Sequence, residues 1–445
     1  MKRGEITAFL SLIFVLLVSF ILAMTESAMI QTAKNRKRLD VDRAVFSLFG
    51  EYQKELLGEY DVFAIEGSYE TGCFEESQIL NRLAYYGSVG IRQEITDIQL
   101  LTDNGGQAFR EQVIQFMEES TGIALVQNLT GLAADWEEQQ VQGQESSDQL
   151  DQALTQSGGL LPEEAGELLH AKNSGILSLV LPEGFTLSTK AICSEEQVSV
   201  RVRNTGRGSF PVRTGTGGIE GRLLFEKYIL EHFSSAVEPK TEGRNLDYEI
   251  EYLLCGNKSD EENLKEVVLR LLLFRFAMNS VYLMSDAQKQ GEAEAMALAI
   301  SAVLLQPEAV EIIKQLLLLL WSFGESVIDL RTLLSGKKAA FMKSEESWQL
   351  QLSSLFRLGS AEDSLQGTDT ENGMDYAQYL QILLFLKEDT ELTMRTLDRV
   401  EQNLITEKGL EFFRADACIT KLKLYNTAEL WNECTYSFPT YYGYL

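Results

Sequence analysis

Ile6-Thr-Ala-Phe-Leu-Ser-Leu-Ile-Phe-Val-Leu-Leu-Val-Ser-Phe-Ile-Leu-Ala-Met24 carries no charge and directly follows Met1-Lys-Arg-Gly-Glu5. As a helix rising 1.5 Å per residue the stretch spans about 28 Å, close to the hydrocarbon thickness of a bilayer. Thr7, Ser11 and Ser19 can return their hydroxyls to the helix backbone, so they do not spoil the span. The expectation is a single transmembrane anchor, with the bulk of the chain on one side of the membrane. A cleaved signal peptide is the competing reading, with Lys2 and Arg3 as its basic region. Its apolar core would exceed the usual 7–15 residues, and the small-residue exit between Ala23 and Ala28 is interrupted by Met24 and Glu26. Both readings export most of the chain.

Past the span the helical pattern continues. Thr25 to Glu59 contains no proline, and Val41, Val45, Leu48, Phe49, Tyr52, Leu56 and Tyr60 fall on one helical face. This predicts one rod, half in lipid and half lying on a globular head, over residues 1–24 (leader and anchor) and 25–60 (amphipathic helix). Cations flank the span on both sides: Lys2 and Arg3 before it, Lys34, Arg36, Lys37 and Arg38 after it. The second cluster begins ten residues beyond Met24, which favours a cytoplasmic N-terminus and an extracytoplasmic head.

The 445 residues carry a net charge of −27. That argues against nucleic acid, which requires concentrated Lys and Arg. The five cysteines (Cys73, Cys193, Cys255, Cys418, Cys434) form no CxxC; only Cys418 and Cys434 are near enough in sequence to suggest a bridge, and buried thiols are the expected state.

Composition divides the rest into a mixed α+β region, 61–245, and a mainly helical region, 246–445. In the first, residues 60–65 read as a short strand, 78–86 and 109–132 as helices, and 95–101 as a strand. Residues 137–159 are Gln, Glu, Ser and Asp with little to bury, a solvated helix or a flexible excursion. Gln197 to Arg203 alternates strictly, with Val198, Val200 and Val202 on one face, and reads as the clearest strand. In the second region Ser259-Asp-Glu-Glu262 opens a helix to Met284. Further helices follow over 292–305, from Pro307 to Leu334, over 375–387 and over 391–406. Leu316 to Trp321, apolar all round, marks the central helix of a bundle. The Tyr-rich tail, 434–445, would add an edge strand. The fold class expected is therefore α+β, mainly helical.

Chemistry is sparse. The two histidines, His170 and His232, stand in unrelated contexts, so neither a zinc site nor a His-based triad is indicated, and no catalytic, cofactor or metal residue is assigned. Thr214-Gly-Thr-Gly-Gly218 lacks the order of a phosphate loop. Asp369-Thr-Glu-Asn-Gly-Met-Asp375 has its glycine one place early for a calcium loop, and Leu380 stands where the bidentate Glu belongs, which leaves a helix-entry turn. Arg201, Arg203, Arg207, Arg213 and Arg222 form a local basic set. Pairing with the protein's own carboxylates is the ordinary explanation, and docking to another subunit or an anionic wall polymer is the alternative.

Four strings carry a family resemblance: Lys2 to Phe14 with Thr25-Glu-Ser-Ala28, Leu48 to Ala64, Tyr252 to Leu264, and Gly373 to Leu380. They resemble the DUF5702-type membrane-anchored proteins of Gram-positive anaerobes, whose genes typically accompany Tad-type (tight adherence) pilus machinery. The resemblance implies a non-enzymatic role as a minor pilin-like subunit or assembly factor. Its partners would be the bilayer, through residues 6–24, and other membrane subunits of the apparatus. It also implies prepilin-type processing between Gly4 and Glu5. The sequence departs from the type IV pattern, because Phe9 stands where a glutamate is expected. The alternative is a secreted or surface-held binding module for a cell-wall or host ligand, working through Arg201 to Arg222.

Overall fold

The computed structural model describes residues 2–120, 129–157, 175–213, 218–238, 240–360, 363–431 and 434–444. The fold is α+β and mainly helical, with one small antiparallel sheet. The chain forms two compact units. The first comprises Met1–Gln112, Val202–Arg213 and Lys408–Leu445; the second comprises Val113–Arg201 and Thr214–Glu407. Neither is one consecutive segment, so they cut across the composition boundaries at 60 and 245.

In the first unit, α1 (Lys2–Phe49) is followed by α2 (Lys54–Tyr60), β1 (Ile65–Glu66), α3 (Glu76–Leu83), β2 (Ile91–Leu100) and the start of α4 (Asp103–Ser120). β3 (Cys418–Glu429) and β4 (Thr435–Gly443) complete it. β3 is the central strand. Its whole length pairs with β2, from Ile419↔Leu100 to Ala428↔Ile91. Its other edge pairs first with β1 (Ile419↔Ile65) and then with β4, from Lys421↔Gly443 to Glu429↔Thr435. Ile95, Ile98, Leu422, Leu424, Ala428 and Phe438 form one core with Val41, Ala44, Val45, Leu48 and Phe49 of α1.

The rod ends ten residues earlier than its periodicity predicts. In a continuing helix Gln53 N–H would donate to the Phe49 carbonyl; it donates instead to Ala64 O at 2.9 Å, and the Tyr444 hydroxyl takes the Phe49 carbonyl. The Gln53 side chain then caps α2, accepting from Glu55 N at 3.3 Å. The strand expected over 60–65 shrinks to Ile65–Glu66, while Val62 and Ala64 are buried without pairing in the sheet. The Tyr-rich tail does form the predicted edge strand.

The second unit is a helical bundle. It contains α5 (Leu129–Ser157), α6 (Ile176–Val180), α7 (Ile219–His232), α8 (Glu249–Cys255), α9 (Asp260–Ser285), α10 (Ala287–Leu304), α11 (Val310–Leu334), α12 (Tyr376–Phe385) and α13 (Asp389–Thr406). Ser259 caps α9 by accepting from Glu262 N, as its sequence predicts. A short 3₁₀ turn, Pro307–Ala309, leads into α11, whose residues from Leu316 to Leu334 are all buried. α11 is the central helix.

Of the two forms expected for 137–159, residues 137–157 take the helical one: they belong to α5, which packs along α9. Trp136 stacks on Phe274 at 4.0 Å, and Gly143 lets the helices touch, since a Cβ there would lie 2.1 Å from the Leu273 carbonyl oxygen. Gln197 to Arg203 is not a strand. Val198 is buried, but Val200 is 63% and Val202 97% exposed, so the alternating valines line no sheet face. The Gln197 carbonyl instead accepts from the amides of Val200 and Arg201, closing a turn.

Candidate functional site

α1 presents a long apolar surface on the first unit. Its 48 residues extend about 72 Å. Its best 18-residue window has a mean hydropathy of 2.8 and is uncovered by the rest of the chain, so it is an N-terminal helix long and apolar enough to cross a membrane. Ser11 and Ser19 donate to Ala8 O and Val15 O at 2.8 Å, keeping their hydroxyls off the apolar surface as predicted. α9 passes the same test of length and composition, but 61% of its apolar window is buried, the state of a core helix.

The other half of α1 is seated in the sheet by aromatic residues of the tail. Phe49 lies 4.6 Å from the Tyr442 ring and 5.0 Å from that of Tyr444, which also stacks on Phe63 at 5.5 Å. Burial raises the pKa of the Tyr444 hydroxyl, keeping it protonated as the donor to Phe49 O. Further out, Lys34 lies over the Tyr436 ring at 5.2 Å and Arg38 over Phe438 at 5.5 Å. Only about ten residues, or roughly 15 Å of helix, separate Met24 from this first aromatic contact. Just past the helix end, Glu51 accepts from Arg82, Tyr86 and Tyr69. The apolar half of α1 thus continues, as one helix, into the core of the first unit.

The arginines divide between the two units. Arg201 belongs to the second unit, where it forms a two-pronged pair with Glu401, and its neighbour Ser199 is held by Asp398 through N–H and Oγ at 2.7 and 2.6 Å. Arg222, also in the second unit, pairs with Asp389 at 3.0 Å and donates to Phe385 O. In the first unit Arg207 pairs with Glu76 and donates to the Ile95 and Thr96 carbonyls, covering the outer edge of β2. The Arg213 amide donates to Glu111 at 3.1 Å. Arg203 is half-buried in the first unit, next to Asn204, whose amide is fixed by Asp416. Gly4 and Glu5 lie in the exposed first turns of α1.

The family of unknown function DUF5702 matches residues 163–430, more than half of the chain. This chain belongs to that family. No curated protein and no solved structure matches it. In this DUF5702 protein the matched residues take in most of the second unit and β3, while α1 and β4 lie outside them.

The chemistry the sequence left open resolves into structure. His232 of the DUF5702 chain stacks on Tyr228 at 4.0 Å, with Nδ1 3.0 Å from the Tyr228 carbonyl, a packing role. The loop 369–375 is the entry turn of α12: Asp375 and Gln378 form a reciprocal capping box, and Asp369 accepts from Lys338 N. Among the described residues no group of three or more His, Cys, Asp or Glu could hold a metal ion. Cys418 and Cys434 sit at opposite ends of the β3–β4 hairpin, and none of the five cysteines is in a disulfide. At about 3.4 Å per residue the two ends stand over 30 Å apart, far beyond disulfide reach. His170 and residues 214–217 lie outside the described residues.

Sequence reasoning missed a buried ionic cluster in the second unit. Asp329 accepts from Arg275 Nε at 2.9 Å, Asn279 Nδ2 at 3.0 Å and Lys343 Nζ at 2.7 Å, and Lys343 also pairs with Glu325. Arg275 reaches on to Phe341 O and the Tyr379 hydroxyl. Burial alone would raise the Asp329 carboxyl, but Arg275 and Lys343 outweigh it and hold it below the usual carboxylate range. At Glu325 burial wins, and its pKa is raised. The available signal was the i, i+4 spacing of Glu325 and Asp329 inside the otherwise uncharged run from Gln315 to Leu330.

Proposed function

We propose that this DUF5702 protein is a non-enzymatic, single-pass membrane protein with a cytoplasmic N-terminus and an extracytoplasmic head. It would serve a Tad-like pilus or secretion apparatus as a minor pilin-like subunit or an assembly factor. The observation that carries this reading is α1, one unbroken helix whose first half is apolar and uncovered while its second half is built into a core. A helix joined in this way passes any displacement of the anchor directly to the sheet, which suits a subunit positioned by neighbours in the membrane. The resemblance of Lys2 to Phe14 and of Thr25 to Ala28 to anchored proteins of tight-adherence loci supplies the choice of apparatus. The non-enzymatic reading rests on a sequence with only two histidines, neither in a catalytic pattern. A binding module working through the arginines is not favoured, because Arg201, Arg207 and Arg222 are each held by an internal carboxylate.

The test is N-terminal sequencing and membrane partition of the protein from its native cells. A membrane-retained chain starting at Met1 fits a permanent anchor and an assembly factor. One starting at Glu5 fits a processed pilus subunit. A soluble chain starting near residues 24–29 refutes both. Replacing the membrane half of α1 with an unrelated span should abolish co-purification with partner subunits while leaving the head folded; full retention of those partners would refute a packing role for the anchor.

A further inference from the structure

The geometry points to a self-formed covalent cross-link in the second unit: an amide between Lys343 Nζ and the side-chain carboxyl of Glu325, with Asp329 carrying the protons. Three side chains that ordinarily seek water meet here out of reach of it. The Lys343 side chain is 1% exposed, and those of Glu325 and Asp329 are fully buried. The Lys343 ammonium pairs with Glu325 Oε1 on one side and lies 2.7 Å from Asp329 Oδ1 on the other. The amine is thus held against the carboxyl whose carbon it would attack, and a well-oriented intramolecular pair behaves as if at roughly 10⁵–10⁸ M.

The surroundings assign the roles. Glu325 accepts from two backbone amides, Gln349 N to Oε1 at 3.0 Å and Leu350 N to Oε2 at 2.7 Å. The Leu350 peptide is itself fixed, because its carbonyl accepts from the indoles of both Trp321 and Trp348 at 2.8 Å. The amide aimed at Oε2 is placed to stabilise the oxyanion of a tetrahedral intermediate. Asp329 is fixed by Arg275 and Asn279 on Oδ2, which leaves Oδ1 turned to Lys343. The raised pKa of Glu325 agrees with its role, because burial biases it towards the neutral carboxyl that an amine can attack.

The step balances without any co-reactant. Lys343 ammonium gives one proton to Asp329, and the freed amine lone pair attacks the protonated Glu325 carboxyl. The carbonyl electron pair moves to Oε2. The proton on Asp329 passes to the Oε1 hydroxyl, which leaves as water while the carbonyl reforms. Asp329 then takes the second proton from the amide nitrogen. Glu-COOH, Lys-NH₃⁺ and Asp-COO⁻ become an amide, one water and Asp-COOH. The product removes a buried cation and the carboxyl beside it, and ties α11 to the loop that carries Lys343.

Peptide mapping of the full chain, purified in detergent and held at neutral pH, tests this. Trypsin cannot cut after an acylated lysine, so the expected product is a branched species joining Gln315–Arg331 to Ala339–Arg357, lighter than the two together by one water. Glu325→Leu and Lys343→Met should abolish it. Asp329→Asn, which keeps an acceptor but cannot carry the proton, should slow its appearance on the order of 100-fold. Recovery of unmodified Gln315–Arg331 from the wild-type chain, with normal cleavage at Lys343, overturns the proposal. That readout needs no variant to fold.

Discussion

Phe49→Ala isolates the seat of α1. Phe49 is almost fully buried, with the Tyr442 and Tyr444 rings 4.6 and 5.0 Å away, and no backbone hydrogen bond depends on its side chain. Truncating a buried phenylalanine costs about 3–5 kcal/mol, the lost ring contacts included. Phe46 is the matched control: one turn earlier on α1, 67% exposed, it meets Tyr442 only edge-on at 6.3 Å. Phe46→Ala should cost under about 1 kcal/mol. Hydrogen exchange of the full chain in detergent micelles, read at the β3 and β4 amides, separates the two. At 1.4 kcal/mol per factor of ten, Phe49→Ala should speed their exchange on the order of 100- to 1000-fold. Phe46→Ala should change it by less than about tenfold. Equal effects, or protected β3 and β4 amides in Phe49→Ala, would refute the claim that the tail strand holds the rod in place.

Gly143→Ala should destabilise the second unit by roughly 1–3 kcal/mol through the clash with the Leu273 carbonyl. Gly291→Ala, with open space at its Cβ, should be neutral or stabilising; thermal melts that rank them the other way refute the α5–α9 contact. Arg275→Met takes the guanidinium from the buried Asp329 carboxyl and should cost about 3–5 kcal/mol in denaturant titrations, most of it recovered by adding Asp329→Leu. Glu251 is wholly buried beneath the Tyr376 hydroxyl, and burial pushes its pKa up to about 7, against 4.5 in the unfolded chain. The folded state therefore holds more protons between those values, and stability falls as pH rises through that window, by about 3 kcal/mol in all. Glu251→Gln should flatten that slope, raising the urea midpoint at pH 8 and not at pH 4; an unchanged slope would refute the assignment.

What could be read in advance was whatever the chain states locally. The charge-free run to Met24, the Ser259 cap, Pro307 and the apolar sweep of α11 each carry their own signal within a turn or two of helix. What could not be read depends on distant partners. The valines at 198–202 alternate like a strand, yet Asp398 and Glu401, some 200 residues on, take that segment into a turn. β3, the centre of the sheet, contains Lys421 and Lys423, which obscure its pattern; Lys421 is buried only because Glu111 meets it. Gly143 stands in a polar stretch where nothing local reveals its use, which is a helix contact. For the candidate site the anchor was legible and its seat was not, because the seat is made by tail residues that local periodicity does not connect to α1.

The hydrogen bond from Tyr444 to Phe49 joins residues 395 apart in the chain. At roughly 5–20 residues per second, the ribosome delivers the second partner about 20–80 s after the first. During that interval the apolar half of α1 is already available to a membrane, while β1, β2 and the buried face of α1 wait for the strand that completes them. The second unit, whose segments lie between, can close on itself first. A nascent chain of this kind spends most of its synthesis tethered beside an unfinished sheet with open edges and exposed Val41, Val45 and Phe49. Birth order therefore makes the part nearest the anchor the last to become safe from aggregation.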